Sequence, residues 1–511
     1  MKDNPIMADG KTYSDSTTDR GPLFIFEMAN NHSGNLAHGL LIVEEMSKIA
    51  RRHRIRVAVK LQYRNLSTFI HPDFRSADIK HIKRFLSTEL SWDDYASLVV
   101  AIHDHGMLAA CTPFDESSLD LLVNHSVDIV KIASCSANDW PLLERIARVR
   151  KPIICSSGGL RQEEMDQVVN FFEHRCVRDF SLLHCVGLYP TPNNALQLHM
   201  IEWMRRRYHW MRIGYSGHEA PNNLNPVKIA VAKGAQILER HVGVPTATAP
   251  LNAYSMNPEQ TEAWIQAALS ALEITGDDTE SKHVTQDELD SLLSLKRGTY
   301  MSEAVKAGEQ VGSNRVFFAM PCVAGQTSSS EYVAGMVATQ DYAAGTAMRE
   351  RRPRTTAAVL RSLLHEAKGM LHQAGISIGT SYSIDMSHHY GPDRFRQHGA
   401  IIVNLINREY CKKLIIVLPG QSHPSHRHLL KEESFQLLYG DLEVTRDGVA
   451  TAMRPGDIHL VERTVWHSFS SYKGAIFEEI STTHVVGDSY YDDAAIASMD
   501  PIQRKTVLES W

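Results

Sequence analysis

Between residue 21 and about residue 270 the chain repeats one unit eight times: a short apolar run followed by a helical pattern. The runs are "LFIFEMAN" from 23, "RVAVKLQ" from 56, "MLAACTPF" from 107, "VDIVKIAS" from 127, "PIICSSGG" from 152, "SLLHCVGLY" from 181, "MRIGYSGH" from 211 and "AQILERHVG" from 235. Apolar runs of about four to eight residues, bounded by polar turns, suit strands buried on both faces. Between them Leu36, Leu40 and Val43 recur at helical spacing. "LSWDDYASLVVAIHDHG" opens with Ser91 three residues before Asp94 and stops at Gly106, a capping-box start and a glycine stop. Eight such units predict a closed (β/α)8 TIM barrel, an α/β fold, over residues 21–275. The alternative is an open doubly wound sheet, but no GxGxxG follows the first run.

The pattern then changes. After "TGDDTESKHVTQDE", residues 290–350 carry short glycine-broken strand pieces, "GTYMSEAVKAGEQV" and "GMVATQDYAAGTAM", which predict a small β-rich domain with internal similarity. Residues 351–375 read as a linker and a helix. Residues 376–490 alternate apolar and polar residues between turns such as "RDG" and "RPGD", as an antiparallel barrel or jelly roll does. Residues 1–20 read as a polar, poorly ordered lead-in and residues 491–511 as a tail.

Composition narrows the function. A net charge of −6 gives no basic field for nucleic acid. The short runs "RRHRIR" and "RERRPR" read as helix ends and a linker. No window approaches the length of an apolar membrane span, and the N-terminus lacks the apolar core of a secretory signal. Seven cysteines without a CxxC point to a reduced, cytoplasmic protein with neither disulfides nor a thiolate zinc site.

Barrel enzymes build their sites at the C-terminal ends of the strands, and almost every run here ends in a reactive group. These are Glu27, Lys60 and Gln62, Thr112, Lys131 and Ser134, Ser156 and Ser157, His184 and Tyr189, Ser216 and His218, Glu239 and His241. Any one of them alone is ordinary strand-end polarity. Two lysines within apolar sequence, with hydroxyls around them, are what a small multiply charged anion requires. His218 and His241 close neighbouring strands, so one divalent ion can bridge them, with Glu27 as a base or further ligand. Two imidazoles with oxygen ligands suit Mn²⁺, Fe²⁺ or Zn²⁺ better than Ca²⁺.

In consistent order, "EMANNHSGNL", "KLQYRN", "AACTPFD", "VKIASCSANDWPLLERIA", "KPIICSSGG", "LLHCVGLYPTP", "IGYSGHE" and "GAQILERHV" resemble the sialic acid synthase family. Those enzymes condense phosphoenolpyruvate with an amino sugar aldehyde. The resemblance implies that Lys60, Thr112, Lys131, Ser134, Ser156 and Ser216 hold phosphoenolpyruvate. It implies that His218 and His241 hold Mn²⁺ or Mg²⁺, that Glu27 manages protons, and that Gln62, Tyr189, Ser136 and Asn252 face the acceptor. Residues 290–350 resemble the family's antifreeze-like (SAF) domain, which caps a partner's barrel and so implies a homodimer. The acceptor end departs from the family. Gly217 stands where Asp is usual, Ser136 where Glu is usual, and Leu251 and Asn252 where Asp and His are usual. Ala319 and Met320 stand near the position of the SAF arginine. The acceptor expected is therefore not ordinary N-acetylmannosamine.

A second constellation, His426, His428, Glu433 and Gly440 in "HPSHRHLLKEESFQLLYG", resembles the first motif of the cupin superfamily. His467 in "RPGDIHLVERTVWHS" resembles the fourth ligand. Alternating histidines face one way on a strand, so the four can hold a second Mn²⁺, Fe²⁺ or Zn²⁺. Glu432 rivals Glu433, and His423 lies beside them. The cupin could isomerise or epimerise a sugar, with Lys431, Glu462 or Glu479 moving the proton, or could serve as a binding module. For the whole chain the alternative to a synthase is a non-catalytic sugar-phosphate-binding or regulatory protein.

Overall fold

A computed structural model describes residues 21–276, 282–351 and 355–508. The expected lead-in at 1–20 and the linker residues 352–354 lie outside the described residues. The chain divides after residue 282 into two compact units.

The first unit is a closed parallel barrel. Its strands are β1 (Leu23–Glu27), β2 (Val57–Tyr63), β3 (Leu108–Pro113), β4 (Ile129–Ile132), β5 (Ile153–Ser156), β6 (Phe180–Cys185), β7 (Arg212–Gly217) and β8 (Ile237–His241). They pair in sequence order, and β8 closes on β1 with His241 opposite Glu27. Strand alternation sorts the side chains. Leu23, Ile25, Ala58, Ala110, Ile129, Ile154, Leu183 and Ile237 fill the barrel interior as one apolar layer. Two residues further along the same inward face come Glu27, Lys60, Thr112, Lys131, Ser156 and Glu239. The polar layer therefore sits directly above a dry floor, at the C-terminal mouth. Gly214 keeps that floor tight, since a Cβ there would meet the Ile237 carbonyl at 2.4 Å.

Outward-facing residues pack on the helices. Phe24 meets Trp264 of the helix Pro258–Thr275 edge-on at 5.4 Å, and Trp264 is fully buried. Truncating such a residue to alanine costs about 3–5 kcal/mol. The expected capping box of Ser91 and Asp94 is present, and Gly106 follows that helix at φ 76°.

In the second unit, residues 298–348 form a small β region around Met301, Val305, Val311, Met336, Tyr342 and Met348. Val305 and Tyr342 pair across it, joining the two similar segments. Beyond it lie two antiparallel sheets of seven and five strands. Ile415, Val417, Phe435, Leu437, Val444, Phe469 and Phe477 form the core between their inner faces. The motif glycine Gly440 is at φ 83°, and a Cβ there would meet the Gly474 carbonyl at 1.9 Å. No other residue fits that turn.

Two boundaries differ from the sequence reading. The helix Thr356–Gln373 is not only a connector: Leu360, Leu363, Leu364 and Ala367 pack with Ile384, Ile401 and Ile416 on the seven-stranded sheet. The tail does not begin at 491, because Lys505–Leu508 pairs antiparallel with Ser383–Ser387. Four residues carry too little periodicity to read as a strand; pairing with a distant partner makes them one.

Candidate functional sites

In the barrel, the polar layer is a closed set of opposite charges. Lys60 Nζ lies 2.5 Å from Glu27 Oε2 and 2.8 Å from Glu239 Oε1. Lys131 Nζ lies 3.9 Å from Glu239 Oε2 and donates to Ser156 Oγ at 2.6 Å and to the Ile132 carbonyl at 2.9 Å. Ser216 Oγ donates to Glu239 Oε1 at 3.1 Å. All these charged groups are buried. Burial works against the charge of Lys60, but Glu239 and Glu27 outweigh it and hold the ammonium above its ordinary pKa. Lys131 is less well compensated, and burial brings its pKa below the ordinary value. Burial would raise Glu239, yet Lys131 and Lys60 pull it down to about 2.

Hydroxyls and amides ring this set. Thr112 Oγ1 is buried without a hydrogen-bond partner among the described residues. A bound oxyanion would give it one. Ser134 Oγ accepts from Gly158 N–H at 3.1 Å, and a Cβ at Gly158 would meet that oxygen at 2.6 Å. Gln62 Nε2 donates to Glu27 Oε2 at 3.3 Å, while Glu27 Oε1 accepts from Ala29 N–H at 2.6 Å.

His218 and His241 have ring centroids 5.4 Å apart. The His218 Nδ1–H donates to the Val186 carbonyl at 3.1 Å, and His241 Nδ1 is buried without a partner among the described residues. Burial, with His241 beside it, brings His218 to about 3; burial, with Lys60 nearby, brings His241 to about 3. Both are neutral imidazoles with lone pairs to offer, the form a metal needs. Tyr189 lies over His218 at 4.2 Å and Tyr254 edge-on to His241 at 5.0 Å.

The acceptor-end candidates are mixed. Gln62 and Tyr189 reach the cluster. Asn252 instead spends its carbonyl on the backbone N–H groups of Tyr254 and Ser255, at 3.1 and 2.9 Å, so it shapes the loop that presents Tyr254. Ser136 is buried on the short 3-10 turn Ser134–Ser136, its hydroxyl 4.0 Å from Cys135 Sγ. At Gly217 a Cβ would meet Glu219 Oε2 at 2.5 Å and Tyr215 Cε1 at 2.8 Å. Glu219 is fully buried, paired with Arg240 at 2.5 Å and accepting from Tyr215 OH at 2.8 Å. The volume beside residue 217 is thus filled by another acid, which is itself neutralised.

The second site lies inside the antiparallel barrel. His426, His428 and His467 bring their nitrogens within 4.8 Å of one another, and all three are buried. Each Nδ1–H donates to a backbone carbonyl: Pro424 at 3.1 Å, Asp488 at 2.6 Å and Val465 at 3.2 Å. A carbonyl can only accept, so each Nε2 carries the free lone pair. His428 Nε2, His467 Nε2 and Glu433 Oε2 are buried without hydrogen bonds among the described residues. The carboxylate oxygens of Glu433 lie 3.3 Å from His428 Nε2 and 3.1 Å from His467 Nε2. This donor set fits a divalent transition ion. Burial and the imidazoles around it hold His426 well below its ordinary pKa. Burial opposes the charge of Glu433, but Lys431 and His428 keep it ionised.

Sequence reasoning missed two features. Glu239 was seen as a strand end but not as the hub of both lysines; its position two residues before His241, on the same inward face, was the available signal. In the second barrel Glu479 is held by Lys413 at 2.9 Å and Lys431 at 3.0 Å. Of the three proton-transfer candidates, Lys431 and Glu479 are buried inside, whereas Glu462 is exposed. Lys413 carried no signal beyond an odd cation in an apolar strand.

Fold and site define the class: a (β/α)8 barrel with a lysine-lined mouth and paired imidazoles, followed by a cupin-type barrel with its own ligand set. Residues 50–280 match the NeuB family and residues 413–475 the cupin domain. A solved structure, spore coat polysaccharide biosynthesis protein E from Chromobacterium violaceum, is 45% identical with a TM-score of 0.62. That match covers 64% of this chain and 98% of the other. The pseudaminic acid synthase of Campylobacter jejuni is 24% identical over 65% of this chain and 97% of its own length. The N-acetylneuraminate-9-phosphate synthase of Drosophila melanogaster is 33% identical over 30% of this chain and 41% of its own length. The chain carries a NeuB-family domain and a C-terminal cupin domain.

Proposed function

We propose that the barrel condenses phosphoenolpyruvate with a sugar aldehyde, releasing phosphate and forming a nonulosonic or related 2-keto-3-deoxy acid. The observation that carries this reading is the buried Glu27–Lys60–Glu239–Lys131 set beneath paired neutral imidazoles. Its two positive and two negative charges cancel, so an entering phosphoenolpyruvate anion needs further positive charge. A divalent ion, Mn²⁺ or Mg²⁺, held by His218 and His241 would supply that charge and polarise the acceptor's carbonyl oxygen. Lys60 and Lys131 bind the anion's oxygens, and Thr112, Ser134, Ser156 and Ser216 saturate the rest. The methylene carbon of phosphoenolpyruvate attacks the aldehyde carbon, water adds at C2, and phosphate leaves with its bridging oxygen. Glu27, held by Ala29 N–H, Lys60 and Gln62, is the carboxylate placed to accept the water proton.

The cupin reading is a sugar isomerase or epimerase. His426, His428, Glu433 and His467 would hold the ion, which supplies polarisation of a carbonyl and its neighbouring hydroxyl, while Glu479 sits between lysines on the same inner face. Residues 21–275, 290–350 and 376 onward act as synthase, SAF-like and cupin domains, in a cytoplasmic homodimer formed through the SAF-like domain.

The test is phosphate release from phosphoenolpyruvate with Mn²⁺ across aldoses with and without N-acetyl groups, with His218→Ala as the blank. Release with an acceptor, absent in the variant, is expected. Silence across the panel, with phosphoenolpyruvate bound, would leave the barrel a binding protein.

A further inference from the structure

Every other cation in or beside the polar layer has an acid. Lys60 has Glu27 and Glu239, Lys131 has Glu239, and Arg240 has Glu219. Arg64 has none. It follows Tyr63, the last residue of β2, at the same mouth as Gln62, to whose side chain it is tied. Its guanidinium is gripped between two rings, 3.7 Å from the Phe114 centroid and 4.1 Å from that of Phe85. Phe114 follows β3, and Phe85 lies on the helix Lys80–Ser87 in the connection after β2. Among the described residues, the hydrogen bond from Arg64 goes to a neutral amide, Nη2 to Gln62 Oε1 at 2.8 Å. Its Nε is buried without a hydrogen-bond partner among the described residues.

A partly buried guanidinium without a counter-charge is costly, and burial pulls its pKa down to about 10. The aromatic clamp fixes its plane, which is the preparation that a two-oxygen partner uses. The nearby acid, Glu27, is already committed to Lys60, Gln62 and Ala29. The acceptor end meanwhile has neutral residues at Ser136, Gly217 and Asn252. With Glu27, Glu239 and Glu219 already paired and Arg64 without an ion pair among the described residues, this end of the barrel selects for negative charge.

We infer that Arg64 is the anion-binding end of the acceptor subsite, so that the aldehyde condensed here carries an oxyanion, a phosphate monoester or a carboxylate, away from its carbonyl. The inference rests on the condensation reading. Gln62 links the two ends: its amide carbonyl orients Arg64 and its amide N–H groups orient Glu27.

The test uses full-length protein with Mn²⁺, phosphoenolpyruvate and matched acceptors: mannose, mannose 6-phosphate and mannuronate, and N-acetylmannosamine with its 6-phosphate. An anionic member is expected to exceed its neutral parent in kcat/KM by about tenfold to hundredfold, the range of a charge-assisted pair. The phosphate and carboxylate arms show which oxyanion is taken. Arg64→Gln should collapse that preference through KM, and Arg64→Lys should restore part of it. An unchanged KM for phosphoenolpyruvate in both variants shows that they fold and that the effect belongs to the acceptor. Neutral acceptors used equally well, or a change confined to phosphoenolpyruvate, would overturn the assignment. Calorimetric titration of the same sugars into the phosphoenolpyruvate-loaded protein separates the two readings. Arg64-dependent binding of an anionic sugar without phosphate release defeats the synthase and keeps the subsite, whereas no such binding defeats the subsite.

Discussion

Glu239→Gln tests the charge balance of the barrel mouth. The substitution keeps the shape of the side chain and removes one of two negative charges. Lys60 retains Glu27 at 2.5 Å, but Lys131 is left with only the Ser156 hydroxyl and the Ile132 carbonyl. Removing one partner of a buried ion pair costs about 3–5 kcal/mol. At about 2–4 °C per kcal/mol for a domain of this size, the barrel's Tm should fall by about 6–20 °C. The same change leaves the mouth net positive, so inorganic phosphate and phosphoenolpyruvate should bind more tightly. Their stabilisation, which grows as RT ln(1 + [L]/Kd), should then be larger in the variant than in the wild type. The assay is thermal unfolding of both proteins over a phosphate titration. A variant as stable as the wild type without ligand would refute the reasoning, as would one that phosphate rescues less.

Other consequences are as direct. His467→Ala should lose about one metal equivalent per chain by elemental analysis and abolish the Tm drop that a chelator causes in the cupin transition; full retention of metal would exclude the proposed ligand set. Gly217→Ala should cost about 1–3 kcal/mol in denaturant titration, because its Cβ meets Glu219, Tyr215 and Arg240, and a neutral result would show that the pair can move aside. Metal-free protein should lose stability in acid. His32 and His389 are held near 4 by burial against an ordinary 6.5. Below about 6.5 the unfolded chain takes up protons that the folded chain refuses, so each contributes a loss of up to about 1.4 kcal/mol per pH unit down to about pH 4. A Tm flat across that window would contradict their burial as neutral rings.

Much of this was legible in the residues themselves. Eight apolar runs, each followed by a helical pattern, dictate a barrel, and once it closes inward positions two apart along a strand share one face. Leu23, Ile25 and Glu27 already announce a dry floor with an acid above it. The cupin histidines were legible for the same reason: His426 and His428 are two apart, and Gly440 sits where only glycine turns. The expected end at 490 failed because a strand as short as Lys505–Leu508 exists only through its partner. What tertiary structure alone decided is pairing. Charges far apart in sequence, such as Lys60 and Glu239 or Lys413 and Glu479, become one electrostatic unit only when strands close into a barrel, since distance and burial set their energy and neither is local. Arg64 is the converse case: in sequence it is one basic residue among many, and only the folded mouth shows that it stands between two rings without an acid.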